Sequence, residues 1–351
     1  MNKKKKIVII LSIVFLIALL IVIPVSSNNL TVNLYDDGSL SDEEAIKFVS
    51  DLTQKDLKTL LNEADELDYS TISEDVVGYY YEAIRIKLTD VPVSEIIKYL
   101  LNEKLSVEIK TSVLMLCDML NISVDYENFI SLLKDPDVPK SYRNFLMSQM
   151  VADGEKYTSV IEDIARSYDN PDIFIENSLS YLQYLNPKKG MEIADEILAD
   201  LSSANTDKYK AALIAKSDYF CRNRNNNDPE ELKNFIDVCD KFLNAPEFSD
   251  EYKRSVVIYS LKKANQKETF SYLMLSENEI IQNEISVIVG DNKNVIEEIL
   301  NETPESQNIR VLSKAAPYYD EAEKLEQYVK QNDDYFNLHT EEKLILSEVT
   351  K

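Results

Sequence analysis

The stretch SEIIKYLLNEKLSVEIKTSVLMLCDMLNISVDYENFISLLKDPDVPKSYRNFLMSQM, Ser94 to Met150, decides the fold. Ile96, Ile97, Leu100 and Leu101 form an apolar stripe at helical spacing, and the stripe stops over Glu103 to Ser106. A second stripe begins at Ile109 and runs through Val113, Leu116 and Leu120. The pattern then recurs. Phe129, Leu132 and Leu133 lead into Asp135, Pro136, Asp137 and Val138, after which Tyr142, Leu146 and Met150 restart it. Ile109 and Tyr142 stand thirty-three residues apart, the length of two short helices and two turns.

Working outward, the same unit can be drawn along most of the chain. Helix pairs are expected at 53–67 with 74–88, 94–104 with 107–120, 126–134 with 140–152, and 157–167 with 170–185. Further pairs follow at 188–201 with 206–221, 229–244 with 249–264, 266–276 with 278–289, and 292–301 with 305–318. Aligning the second helices gives a column: Val76, Ile109, Tyr142, Ile175, Tyr209, Tyr252, Ile281 and Ile309. Four residues on, the column reads Tyr80, Val113, Leu146, Leu179, Leu213, Val256, Ile285 and Ser313. One helical turn separates the two columns, so both belong on one face, turned toward a neighbouring pair. The longest spacing, between Tyr209 and Tyr252, has a visible cause in the asparagine-rich insertion Arg222 to Asp228. That insertion reads as a loop.

Local chemistry agrees with these boundaries. Pro136, Pro171, Pro187 and Pro229 each follow Asp or Asn, where the side chain can cap and the proline can open a helix. Asp207 and Asp250 are expected to stand just before their helices in the same way. Ser41 with Glu44 makes a capping box for a first short helix carrying Ala45, Phe48, Val49 and Leu52, which would cap the array. A helix with Ala322, Leu325 and Val329 would close it, and Thr340 to Val349 would be a last short helix or tail.

Composition points the same way. Five glycines in 351 residues are too few for the positive-φ turns of a β-rich or nucleotide-binding α/β fold. With 44% apolar residues the chain can bury a large core. A net charge of −24 repels phosphate backbones and anionic headgroups, which excludes a nucleic-acid role. It favours cationic partners or serves solubility alone. Cys117, Cys221 and Cys239 lack metal-ligand spacing. Cys117 falls in an apolar stripe and reads as core, and a Cys221–Cys239 bridge is an open alternative to free thiols.

The first residues carry a separate message. Lys3 to Lys6 precede Ile7 to Ile23, seventeen residues with only Ser12 polar, and Pro24 follows. This predicts a membrane-targeting segment with the positive end cytoplasmic, so that everything after Pro24 lies outside. An uncleaved signal anchor and a cleaved signal peptide compete, the anchor being preferred. No cysteine follows the apolar run, so a lipoprotein anchor is not expected. Asn28 to Leu40 would be a polar spacer.

In the second-helix column the next residue is often basic: Ile109 with Lys110, Tyr142 with Arg143, Tyr209 with Lys210, Tyr252 with Lys253 and Ile309 with Arg310. Two leucines and an acidic residue lie upstream, as in Leu132, Leu133 and Asp135. Together these resemble the HEAT repeat, from about Leu52 to Tyr319. Ile175 with Glu176, Ile281 with Gln282 and Val76 with Val77 depart from the pattern, and small alanines are sparse. The tetratricopeptide repeat, of similar period, therefore stays as an alternative, although its tryptophan and glycine are missing. The HEAT resemblance implies a binding scaffold whose second helices line a concave, protein-binding surface.

Chemistry-bearing motifs do not emerge. The single histidine, His339, sits near the tail and reads as a solvated side chain. No phosphate-binding glycine loop, zincin or nucleophile-elbow motif occurs. Asp169, Asn170 and Asp172 lack the remaining ligand positions of a calcium loop. No catalytic, cofactor-binding or metal residue is assigned, and no binding surface is singled out. The enzyme alternative is a secreted helical-toroid carbohydrate enzyme with two carboxylates. Zero tryptophans weigh against it, and Tyr79, Tyr80 and Tyr81 read as packing residues.

The expectation is therefore an all-α protein. It is a right-handed α-solenoid of about eight antiparallel hairpins, HEAT-like, behind an N-terminal membrane-spanning helix. The segments are 1–27 signal anchor or signal peptide, 28–40 spacer, 41–332 repeat domain, and 333–351 short helix or tail. It would be a membrane-anchored extracytoplasmic scaffold for a protein or peptide partner, with no small-molecule cofactor.

Overall fold

The computed structural model describes residues 42–68, 72–102, 104–200, 206–224, 227–302, 306–321, 323–324 and 327–328. The apolar N-terminal segment, the spacer, Ser41, the closing residues Ala322, Leu325 and Val329, and the tail with His339 lie outside the described residues. Among those described, every regular element is helical, and no helix is long and apolar enough to cross a membrane. The chain divides into two compact units, with the boundary between Tyr157 and Thr158.

The first unit contains α1 (Asp42–Leu52), α2 (Leu57–Asp65), α3 (Glu74–Leu88), α4 (Val93–Leu100) and α5 (Val107–Met119). A 3-10 turn (Tyr126–Phe129) then runs into α6 (Ile130–Leu133), and α7 (Lys140–Ala152) is followed by a last 3-10 turn (Glu155–Tyr157). The stripes read from the sequence are buried: Ile96, Leu100, Ile109, Val113, Leu133, Tyr142, Leu146 and Met150. Leu101, Leu116 and Leu120 stay partly or largely exposed at the helix ends or flank. Successive hairpins are also tied by polar contacts. Asp65, which ends α2, accepts at 3.2 Å from the Ser106 amide, and Ser106 in turn caps α5 by accepting from Ile109. The Arg143 side chain is buried and donates to the Leu133 carbonyl at 3.3 Å, joining the two arms of one hairpin.

The second unit contains α8 (Thr158–Arg166), α9 (Asn177–Leu185), α10 (Pro187–Ala199), α11 (Thr206–Arg222) and α12 (Pro229–Asn244). The next helix begins as α13 (Asp250–Tyr252), widens into a π-helical segment (Lys253–Ile258) and ends as α14 (Tyr259–Ala264). After it come α15 (Lys267–Leu275), α16 (Glu279–Gln282), α17 (Ile285–Asp291), α18 (Lys293–Asn301) and α19 (Ser306–Ala315). Ile175, Tyr209, Ile281 and Ile309 are buried, as are Leu179, Leu213, Val256, Ile285 and Ser313 four residues on. Ring contacts thicken this core. Tyr209 meets Phe242 and Phe248 edge-on, with centroids 5.4 and 6.1 Å away.

Several local expectations need correction. Asn186 and Asp228 do cap helices that Pro187 and Pro229 open. Asp135 and Asn170 instead accept from the amides of Asp137 and Asp172, closing tight turns around Pro136 and Pro171. Helix α9 consequently starts at Asn177 rather than near 170, and Ile175 is buried from the turn before it. Ser249 caps the helix before Asp250 by accepting from Tyr252, and Asp207 lies inside α11. The helix expected over 278–289 is broken between α16 and α17. Val76, Tyr80 and Tyr252 are only half-buried members of their columns.

The second unit also buries charge by letting long stems reach the surface. Lys208 and Lys216 are buried, while their partners Asp169 and Asp195 are exposed. Arg166 gathers Glu162, Glu192 and Glu196 at 3.1, 3.1 and 2.9 Å, bridging α8 and α10. Two buried amide side chains among the described residues, Gln183 and Asn308, have no such outlet. Gln183 on α9 packs against Gly190 of α10 with neither its amide nitrogen nor its amide oxygen partnered. Replacing it by methionine, Gln183→Met, should raise stability by about 1 kcal/mol in denaturant unfolding, because an unpaired buried amide is removed. Leu213→Ala should cost about 2–5 kcal/mol, because a fully buried column residue leaves a cavity.

Candidate functional site

Three consecutive second helices of the C-terminal unit carry a connected row of exposed and half-buried side chains. Tyr184 lies near the end of α9, Asp218 and Arg222 in the last turns of α11, and Tyr259 and Lys263 on α14. The Arg222 guanidinium lies 3.8 Å from the Tyr184 ring centroid. Arg222 and Lys263 both reach the Asp218 carboxylate, at 4.0 and 2.7 Å, and the Lys263 ammonium lies 5.8 Å from the Tyr259 ring centroid. Tyr184 and Tyr259 are 42% and 44% exposed, among the few large rings that solvent reaches. The row is therefore an aromatic and cationic ridge that crosses three hairpins.

At one end of the ridge lies an open pocket of about 360 Å³, lined by Cys221, Tyr259, Lys262, Lys263, Asn265, Asp291 and Asn294. Helix ends build it. Cys221 is the penultimate residue of α11, Asn265 caps α14 in the left-handed conformation at φ 53, and Asp291 is the last residue of α17. Cations in the last turn of α14 offset the negative end of its dipole. Lys262 also pairs with Asp291 at 2.6 Å, and Asn294 donates from Nδ2 to the Asn265 side-chain oxygen at 3.1 Å. Gln266, buried behind the pocket, donates to the Phe220 and Ala264 carbonyls and so fastens α11 to α14.

The sequence reading singled out no surface. It did isolate the insertion Arg222 to Asp228, and the pocket sits at the foot of that insertion. The signal available was the long column spacing, since an insertion into a regular array is where loops acquire roles. The widened turn at Lys253–Ile258, just ahead of Tyr259, had no signal in the apolar pattern, although such segments concentrate at functional sites.

Residues weighed individually find structural places. Tyr79 is buried and meets Phe48 edge-on, Tyr80 donates to Glu63 at 3.1 Å, and the Tyr81 hydroxyl accepts from Ser112. Asp169 is taken up by Lys208 and Asn170 by its own turn, and among the described residues no cluster of three metal-ligating side chains occurs. The cysteines are free: Cys117 and Cys239 are buried, and Cys221 is exposed. Comparison with protein-family models finds no match, and neither do comparisons with curated proteins or with solved structures.

The thiols give a direct check on the site. Burial pushes the Cys117 thiol up to about 11 and the Cys239 thiol higher still. A disulfide reagent applied to the native protein at about pH 8 should therefore label one thiol of three rapidly, at Cys221, and the other two only after unfolding. Rapid labelling of Cys117 would contradict the placement of α5, and rapid labelling of Cys239 or none at Cys221 that of α12 or α11.

Proposed function

We propose that this chain is a membrane-anchored, extracytoplasmic α-solenoid of HEAT-like hairpins that acts as a scaffold for a protein or peptide partner. The observation that carries this reading is the ridge of Tyr184, Asp218, Arg222, Tyr259 and Lys263. Tyrosine and arginine are the side chains most enriched where proteins meet, because they offer large rigid contact area with polar tips. Here they are arranged across consecutive hairpins, so a partner would be read along the repeat direction rather than in an enclosed cleft. The mutual contacts of Arg222 with Tyr184 and Asp218 hold the ridge in one arrangement before binding, which lowers the ordering cost at association. The lysine-rich start and the apolar Ile7 to Ile23 supply the anchor.

Photo-crosslinking in intact cells tests the reading. A crosslinking residue placed at Tyr184 or Tyr259 should capture a discrete protein partner identified by mass spectrometry. The same residue at Lys233, highly exposed on the first helix of a hairpin, should not. Arg222→Ala should reduce capture at Tyr184 by about tenfold or more. Equal capture from Lys233, or no discrete product from either ridge position, would remove the scaffold reading. Protease shaving of cells with a permeable wall should degrade the repeat region, and its full protection would overturn the extracytoplasmic topology.

A further inference from the structure

The pocket at the end of the ridge combines three features that arise separately. It lies beside the one long insertion in the array, it follows the one π-helical segment among the described residues, and each charge in its lining is already paired, Lys263 with a carboxylate outside the lining. Charge decides what it can hold. Lys262 is matched by Asp291 at 2.6 Å and Lys263 by Asp218 at 2.7 Å. A small anion would meet the Asp291 carboxylate and the negative ends of converging helices. A small cation would meet two ammonium groups. Neither gains a net attraction, so the ligand that suits the site is neutral.

The remaining chemistry is that of neighbouring donors and acceptors. Asn294 donates to Asn265, which leaves the Asn265 amide nitrogen as a donor beside the Asn294 side-chain oxygen as an acceptor. The Lys262–Asp291 pair repeats this arrangement of donor next to acceptor with charged groups. Adjacent hydroxyls on one ring require this, since each can donate to one group and accept from the next. Tyr259 contributes an exposed ring and a hydroxyl, and rings of this kind pack against the C–H face of a pyranose. A volume of about 360 Å³ lies at the small end of ligand pockets, enough for one or two sugar rings.

We propose that the pocket formed by Tyr259, Lys262, Asn265, Asp291 and Asn294 is a binding site for a neutral carbohydrate. It is a site for holding and not for cleavage: hydrolysis needs a pair of carboxyl groups flanking the bond, whereas Asp291 is the only carboxylate lining the pocket and it is engaged by Lys262. The assignment shares Tyr259 with the ridge but does not depend on the scaffold reading, because Lys262, Asn265, Asp291 and Asn294 lie outside the ridge and Tyr184 and Arg222 lie outside the pocket.

The test is titration of the full-length protein, held in detergent, with chitotriose, maltotriose and cellotriose, alongside inorganic phosphate and lysine amide as charged probes. Calorimetry should show saturable binding of at least one trisaccharide in the micromolar to low millimolar range, with no turnover. Neither charged probe should compete. Asn294→Ala and Tyr259→Ala should each weaken binding about tenfold or more while circular dichroism shows an unchanged helical melt. Tyr184→Ala should leave it unchanged. The proposal is overturned if no trisaccharide binds, if binding survives both pocket substitutions, or if phosphate or lysine amide displaces the sugar.

Discussion

Everything in this chain depends on burial that no helical hairpin can complete alone. A pair of helices about a dozen residues long covers one face of each helix with the other and leaves a second face bare. Ile109 and Val113, Tyr142 and Leu146, Tyr209 and Leu213 are bare faces of that kind, and they become buried only because a neighbouring element covers them. The columns therefore state both the internal order of each unit and the reason it is cooperative. Losing one column residue removes contacts from two hairpins at once.

Polar groups are fitted around that constraint. Lys208, Lys216 and Arg143 start on faces the columns need dry, yet each brings its charged end to an acceptor: Asp169, Asp195 or the Leu133 carbonyl. The same logic places Tyr272, whose hydroxyl donates to Asp240 of the preceding hairpin at 2.5 Å, and Tyr157, which reaches Asp125 at 3.2 Å. Acidic residues, so abundant in the composition, are thus partly spent as anchors for side chains one repeat further on. What is left over gives the surface its strong negative charge.

The helical fold and most hairpin boundaries were legible because one signal, the 3.6-residue period of apolar side chains, reports directly on burial. Its failures are instructive. Pro136 and Pro171 carry the same Asx–Pro signature as Pro187 and Pro229, but the turn they make is decided by the residues that follow, so capping chemistry alone could not separate them. Nor could Asp250 be told from Ser249 as a cap when both side chains can accept. The candidate site was less legible still. Tyr184, Asp218, Arg222 and Tyr259 are unremarkable singly, and only the stacking of three helices aligns them. The insertion at Arg222 to Asp228 was visible, but the groups it accompanies come from α11, α14, α17 and α18, far apart along the chain.

The π-helical segment at Lys253–Ile258 has a consequence of a different kind. Its wider turn amounts to an extra residue in a helix whose neighbours are regular. In a helical array, where side chains are freely exchanged as long as they stay apolar, sequence identity decays quickly and shared ancestry becomes hard to see. An inserted residue at a fixed place, between a Tyr252-like column position and the C-terminal αL cap at Asn265, decays more slowly because losing it shifts the phase of everything after it. Deleting one residue within Lys253–Ile258 would turn Tyr259, Lys262 and Lys263 by about 100° relative to the groups that α11, α17 and α18 bring to the pocket.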